Sequence, residues 1–250
     1  MVKSLKILGC LTLSAPPRFL HVQFSSDNSF GRQLTIGALL LIIASLMFGV
    51  IAVQVVTGAP ITTFDLQVAQ WLHAQATPHS TAVILFFTHL HGIAAVSCWA
   101  VLLSCYLLYR KEWVWLLATI FAVGGGMLLN IVLKHLFARA RPSFDEPLLT
   151  LSTYSFPSGH TAGSTVFYGM LAAYLCSRTC SQGKQVTIIL VAMTMVTLAG
   201  LSRMYLGVHY FSDVVAAVAE GCAWLALTLI LVALLRRRIQ SNADRNRKTV

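Results

Sequence analysis

The sequence runs to 250 residues with a formal net charge of +10, yet only 10% of it is charged and 57% is hydrophobic. Its mean hydropathy is +0.75. Soluble domains carry about 25% charged residues, so a water-soluble globular protein is excluded and the length is spent on membrane-spanning helices.

In chain order, residues 1–32 read as a cytoplasmic N-terminal segment, whose short, broken apolar stretch, followed by Pro16-Pro17, resembles a signal peptide only faintly. Hydropathy then predicts six spans, at roughly 33–57, 92–109, 113–135, 160–178, 185–202 and 213–235. Between the first two, Leu66, Val68, Ala69 and Leu72 recur near helical spacing beside Trp71, as in a helix lying in the membrane interface. The apolar run STAVILFFTHL, residues 80–90, is short and reads as a lead into the second span. The three glycines at 124–126 suit close helix packing inside the third. Residues 33–235 thus form a six-span domain, and 236–250 a basic cytoplasmic tail. The dense run RRRIQSNADRNRK directly follows a span, so it reads as a membrane anchor and not as a nucleic-acid site. Five of the six cysteines lie in or beside apolar runs with no CxxC pair, and buried, inert thiols are expected. The sequence carries no signal for oligomeric state.

Fourteen of the eighteen Lys and Arg residues fall on one side of this topology, which the positive-inside bias assigns to the cytoplasm together with both termini. The remaining four, Lys134, Arg139, Arg141 and Arg203, face the other way. Three segments meet there. KHLFARARP closes the third span, PSGH opens the fourth at Pro157–His160, and SRMYLGVHYFSD leads from the fifth into the sixth.

Three cations around one point suit a dianionic oxyanion, with Arg offering a planar fork and Lys a point charge. Ser158 and Gly159 stand at a helix start, where free N–H groups and the dipole also favour an anion. His209 and Asp213 are four apart and share a helical face. A carboxylate on one imidazole nitrogen leaves the other as nucleophile or base. His160, from another helix, is placed to give a proton to a departing oxygen. Singly, each has an ordinary reading: a turn, a headgroup anchor, interfacial packing. Their coincidence on one face does not.

Lys134, six residues, Arg141-Pro142; then Pro-Ser-Gly-His; then Ser202-Arg203, five residues, His209, three residues, Asp213: this pattern resembles the type-2 phosphatidic acid phosphatase superfamily. The resemblance covers residues 134–213. It implies an all-α, polytopic six-transmembrane helix bundle with its active site at the extracytoplasmic face. By it His209 is the phosphohistidine nucleophile, Asp213 its partner and His160 the acid and then the base. Lys134, Arg141, Arg203, Ser158 and Gly159 hold the phosphoryl oxygens, and Ser202 matches the motif without a defined role. No cofactor or metal is implied. The expected substrate is a lipid phosphate: phosphatidic acid, phosphatidylglycerol phosphate or undecaprenyl pyrophosphate. Transfer of the phosphoryl group to another lipid, and non-catalytic lipid binding, are the alternatives. Haloperoxidase activity is disfavoured because the relatives that have it are soluble.

Outside the signature, Glu220 lies seven residues after Asp213 and Asn130 one turn before Lys134, and either residue could serve the cavity or a structural hydrogen bond. Arg139 ranks below Lys134 and Arg141. Asp145 and Glu146 read as solvated loop charges, and His89 and His91 as interfacial packing without partners. Short loops and the absence of a glycosylation sequon point to a bacterial plasma membrane.

Overall fold

The structure, a computed structural model, describes residues 29–248, and what the sequence predicts for residues 1–28 lies outside them. Eight helices follow one another: α1 (Ser29–Val56), α2 (Pro60–Ala74), α3 (Pro78–Leu90), α4 (Ile93–Tyr109), α5 (Trp113–Phe137), α6 (Gly159–Cys176), α7 (Gln182–Tyr205) and α8 (Phe211–Lys248). Among the described residues the fold is all-helical, as expected. Four of these helices are long and apolar enough to cross a membrane: α1, α5, α7 and α8. The pair α3 and α4, bent by 42° at its break, passes the same test together, which brings the candidate spans to four or five, and residues 80–90 belong to the first helix of that pair.

α6 is long enough but not apolar enough to join them, and its place explains why. Its first two turns carry Thr161, Gly163, Ser164 and Thr165, all buried. It packs against α4, α5, α7 and α8 at once. A helix walled in by protein needs no lipid-facing surface, so its polar groups meet other helices. The main apolar cluster forms around it, from Val96 and Leu107 of α4, Trp115 and Val123 of α5, Phe167 and Met170 of α6, and Val232 of α8. The outer faces are apolar in the opposite sense. Leu39, Ile43 and Leu46 on α1 and Leu190 and Val191 on α7 stand exposed, as lipid-facing residues do. The chain is a multi-pass membrane protein.

Three expectations change in detail. The interfacial segment is a helix, α2, opened by Pro60 in its first turn, but its buried face centres on Asp65 and Ala69 while Leu66 and Trp71 stand exposed. The basic residues after the last span are helical, since α8 continues unbroken to Lys248. Cys98 and Cys105 lie at the outer surface of α4, because an apolar span buries only one side in protein, and Cys180 is exposed between α6 and α7.

Of the three glycines in α5, two make the close approach. A Cβ on Gly125 would stand 2.4 Å from Trp224 Cζ2, and one on Gly126 3.2 Å from Trp224 Cδ1. The indole of α8 lies in that groove and donates from Nε1 to the Ala122 carbonyl at 3.0 Å. Gly125→Val is therefore expected to lower the unfolding free energy by about 1–3 kcal/mol, read by SDS titration in mixed micelles. Gly124→Val, which meets nothing within 4 Å, serves as the neutral control.

Candidate active site

Two helix ends and two helix starts converge. Lys134 lies in the last turn of α5 and Arg203 in the last turn of α7, where cations complement the negative end of the dipole. α6 begins at Gly159 with Ser158 as its N-cap, and no side chain caps its first turn. The Ser158 N–H donates to the Asp213 carbonyl at 3.1 Å, which ties the start of α6 to the start of α8. The Ser158 hydroxyl, fully buried, accepts from Thr161 at 3.0 Å.

α8 begins one residue after Tyr210, so Asp213 occupies the third helical position. From there its Oδ2 reaches back to accept the Tyr210 N–H at 2.9 Å, half of a capping box. That rotamer also turns the carboxylate to His209, whose Nδ1–H donates to the same Oδ2 at 3.4 Å. Local helix chemistry thus fixes the acid that fixes the histidine. The other ring nitrogen, His209 Nε2, faces the guanidinium of Arg141, 3.2 Å away at Nη1. His209 is buried and its imidazole is pushed down to about 3, burial outweighing the opposing pull of Asp213. The ring is neutral at physiological pH, with Nδ1 protonated towards Asp213 and the lone pair on Nε2.

His160, in the first turn of α6, is half-buried and lies within Coulombic reach of Arg203, His209, Lys134 and Arg141. Its Nε2 is 3.6 Å from where a Cβ on Gly92 would stand. The bend between α3 and α4 therefore lies directly beside this ring. Arg203 is buried, donates from Nη1 to Thr88 at 3.0 Å, and keeps Nε without a partner. Arg141 also donates to the carbonyls of Thr153 at 2.7 Å and Tyr154 at 3.0 Å, and Lys134 to that of Tyr154 at 2.9 Å. Gly159 abuts Asn130 Oδ1 and Lys134 Cε, at 3.1 and 3.6 Å from a would-be Cβ. The signature residues Lys134, Arg141, Ser158, Gly159, His160, Arg203, His209 and Asp213 thus meet at one place.

The secondary candidates lie behind them. Ser202 donates to Ala199 at 2.7 Å and to Thr88 at 3.2 Å, on the side of α3. Glu220 accepts from Asn130 Nδ2 at 2.9 Å while its Oε1 has no partner, a buried polar contact between α5 and α8. His91 and His89 do have partners. His91 lies 3.1 Å from the Tyr168 hydroxyl and donates to the Phe87 carbonyl, and His89 donates to that of Leu85. Among the described residues no group of three or more His, Cys, Asp or Glu is placed to hold a metal ion.

Sequence reasoning passed over Asp65 and ranked Arg139 below Lys134 and Arg141. Arg139 makes two charged contacts. It donates from Nη1 to Asp213 Oδ1 at 2.6 Å and from Nη2 to Asp65 Oδ2 at 2.8 Å, with Tyr210 stacked 4.2 Å below. Burial opposes its charge, yet Asp213 and Asp65 carry the guanidinium above its ordinary value. Asp65, fully buried, also accepts the N–H and hydroxyl of Ser212 at 2.9 and 2.5 Å, in the first turn of α8. The available signal was that Asp65 is the one acidic residue between positions 28 and 111.

Residues 112–237 match the sequence profile of the PAP2 superfamily. The chain is 38% identical over 114 residues to phosphatidylglycerophosphatase B of Bacillus subtilis, covering 45% of this chain and 55% of that one. It is 35% identical over 117 residues to decaprenylphosphoryl-5-phosphoribose phosphatase of Mycobacterium tuberculosis, covering 45% and 56%. The chain thus spans about half the length of these curated relatives. The crystal structure of a transmembrane PAP2 type phosphatidylglycerolphosphate phosphatase from Bacillus subtilis superposes with a TM-score of 0.69 at 29% identity, over 75% of this chain and 93% of that one. LpxE of Aquifex aeolicus shares the fold alone, with a TM-score of 0.50 at 23% identity over 70% and 95%.

The Asn130–Glu220 contact carries a stability prediction. Asn130→Ala leaves both carboxyl oxygens of Glu220 unpartnered and is expected to lower the unfolding free energy by about 1–3 kcal/mol, measured by SDS titration.

Proposed function

The chain belongs to the PAP2 superfamily, and on that premise we propose that it is an integral-membrane lipid phosphatase working through a phosphohistidine. The observation that carries this reading is the orientation of His209, proton to Asp213 and lone pair to Arg141.

In the first step His209 Nε2 attacks phosphorus and the bond from phosphorus to the lipid oxygen breaks. His160 gives its proton to that oxygen, and the lipid leaves as an alcohol, or as a lipid phosphate from a pyrophosphate. In the second step His160, now neutral, takes a proton from water as the water oxygen attacks phosphorus. The phosphorus–nitrogen bond breaks and inorganic phosphate leaves. Attack and departure on opposite sides of the phosphorus require two histidines from different helices, α6 and the α7–α8 turn. Lys134, Arg141, Arg203 and the free first turn of α6 stabilise the equatorial oxygens, whose charge grows in the transition state. The unpartnered Nε of Arg203 and the uncapped start of α6 are donors available for this. The Ser158 hydroxyl accepts from Thr161 in the first turn of α6, and Ser202 shares Thr88 as a partner with Arg203.

The substrate class follows from the chemistry of the relatives. Phosphatidylglycerol phosphate and decaprenylphosphoryl-5-phosphoribose share a phosphomonoester on a membrane-bound lipid, and that is the group this site takes. Phosphatidic acid and undecaprenyl pyrophosphate offer the same terminal phosphate. Six crossings fit this role: α1, the broken α3–α4 pair, α5, α6, α7 and α8, with α2 along the interface. α6 counts as a crossing because it is enclosed by four other helices. The basic bias then leaves both termini in the cytoplasm and the site on the extracytoplasmic side of a bacterial inner membrane.

Detergent-purified protein is expected to release phosphate from phosphatidylglycerol phosphate and phosphatidic acid with chelator present. His209→Ala is expected to abolish release, and Arg203→Ala to slow it by about a hundred- to a thousandfold. A His209→Ala protein that works at the wild-type rate overturns the reading.

A further inference from the structure

Asp65 and Arg139 lie outside the three-part signature, yet they touch its central carboxylate. The Arg139 guanidinium is gripped at both ends by fully buried acids, Asp213 at 2.6 Å and Asp65 at 2.8 Å. The three side chains come from α2, the segment after α5, and α8. Arg139 takes Asp213 Oδ1, which leaves Oδ2 for His209 and the Tyr210 N–H. Asp65 meanwhile holds both polar groups of Ser212, so α2 is docked on the foot of α8.

We infer that Asp65 and Arg139 are positioning residues for the nucleophile: Arg139 aims Asp213, and Asp65 keeps the negative charge of Asp213 available to His209. The inference rests on the reading of His209 as the nucleophile. A phosphoryl group on Nε2, with the proton retained on Nδ1, puts positive charge on the ring. A carboxylate already neutralised by a touching guanidinium would offset little of it. With Asp65 on the far edge of that guanidinium, two carboxylates and one cation leave one net negative charge beside the ring. Burial gives that charge its weight, because water screens it little.

A structural brace and a charge relay of this kind differ in a double-mutant cycle. Asp65→Asn preserves shape but lets Arg139 cancel Asp213. Asp65→Asn/Arg139→Gln removes one charge of each sign and restores the single net negative. The assay is phosphate release from phosphatidylglycerol phosphate in mixed micelles, per folded enzyme. Asp65→Asn is expected to lower kcat about tenfold with KM within about threefold of wild type. The double variant is expected to turn over faster than Asp65→Asn. If Asp65→Asn does not fold, Asp65→Ser takes its place in the cycle, since it too removes the charge and lets Arg139 cancel Asp213. A double variant no faster than the single it is compared with, or Asp65→Asn with wild-type kcat, overturns the inference. Wild type and His209→Ala run alongside. An inactive wild type or an active His209→Ala overturns the functional reading and this inference together, whereas normal controls with the wrong order in the cycle overturn the inference alone.

Discussion

A carboxylate sealed inside a membrane protein keeps its charge only where donors surround it, and Asp213 collects them from every side. Tyr210 gives a backbone N–H, His209 its Nδ1–H, and Arg139 a guanidinium. Each donor is positioned by a different device: a helix cap, a four-residue helical step, and the exit of α5. The imidazole inherits its direction from this arrangement, because a ring with one nitrogen committed to Asp213 must turn the other towards Arg141. The tie between the Ser158 N–H and the Asp213 carbonyl then brings the start of α6, and His160 with it, to the same place.

The bundle around this point is built to carry it. α6 is too polar to face lipid, so it runs through the centre, where Gly221 lets α8 close on Thr165 and Gly200 of α7 leaves space for Val214 of α8. The break between α3 and α4 does two jobs. Thr88, just before it, receives Arg203 and Ser202, and Gly92, within it, lies beside His160.

Much of this was legible in the sequence because fixed spacings survive folding. Four residues from His209 to Asp213 put two side chains on one face, and seven from Lys134 to Arg141 carry the chain from a last helical turn into the loop above it. The span boundaries followed from hydropathy to within a few residues for most helices. Asp65 and Arg139 escaped for a physical reason. Their partnership joins residues 74 positions apart, and no local period announces it. Arg139 sat two residues from a motif arginine and looked redundant beside it, while Asp65 lay in a segment read for its apolar face. The cysteines were misjudged because hydropathy reports insertion in the membrane, not which side of a helix meets protein. α6 shows the converse: a helix that hydropathy alone undervalues can be the most enclosed of all.

The central claim is that His209 carries the phosphoryl group between substrate and water. Rapid acid-free quenching of the enzyme during turnover of a radiolabelled lipid phosphate, followed by peptide mapping, tests it directly. The account predicts an alkali-stable, acid-labile phosphoryl group on the peptide bearing His209, appearing before free phosphate. Label on another residue, or steady turnover with no labelled protein at any time, would contradict it.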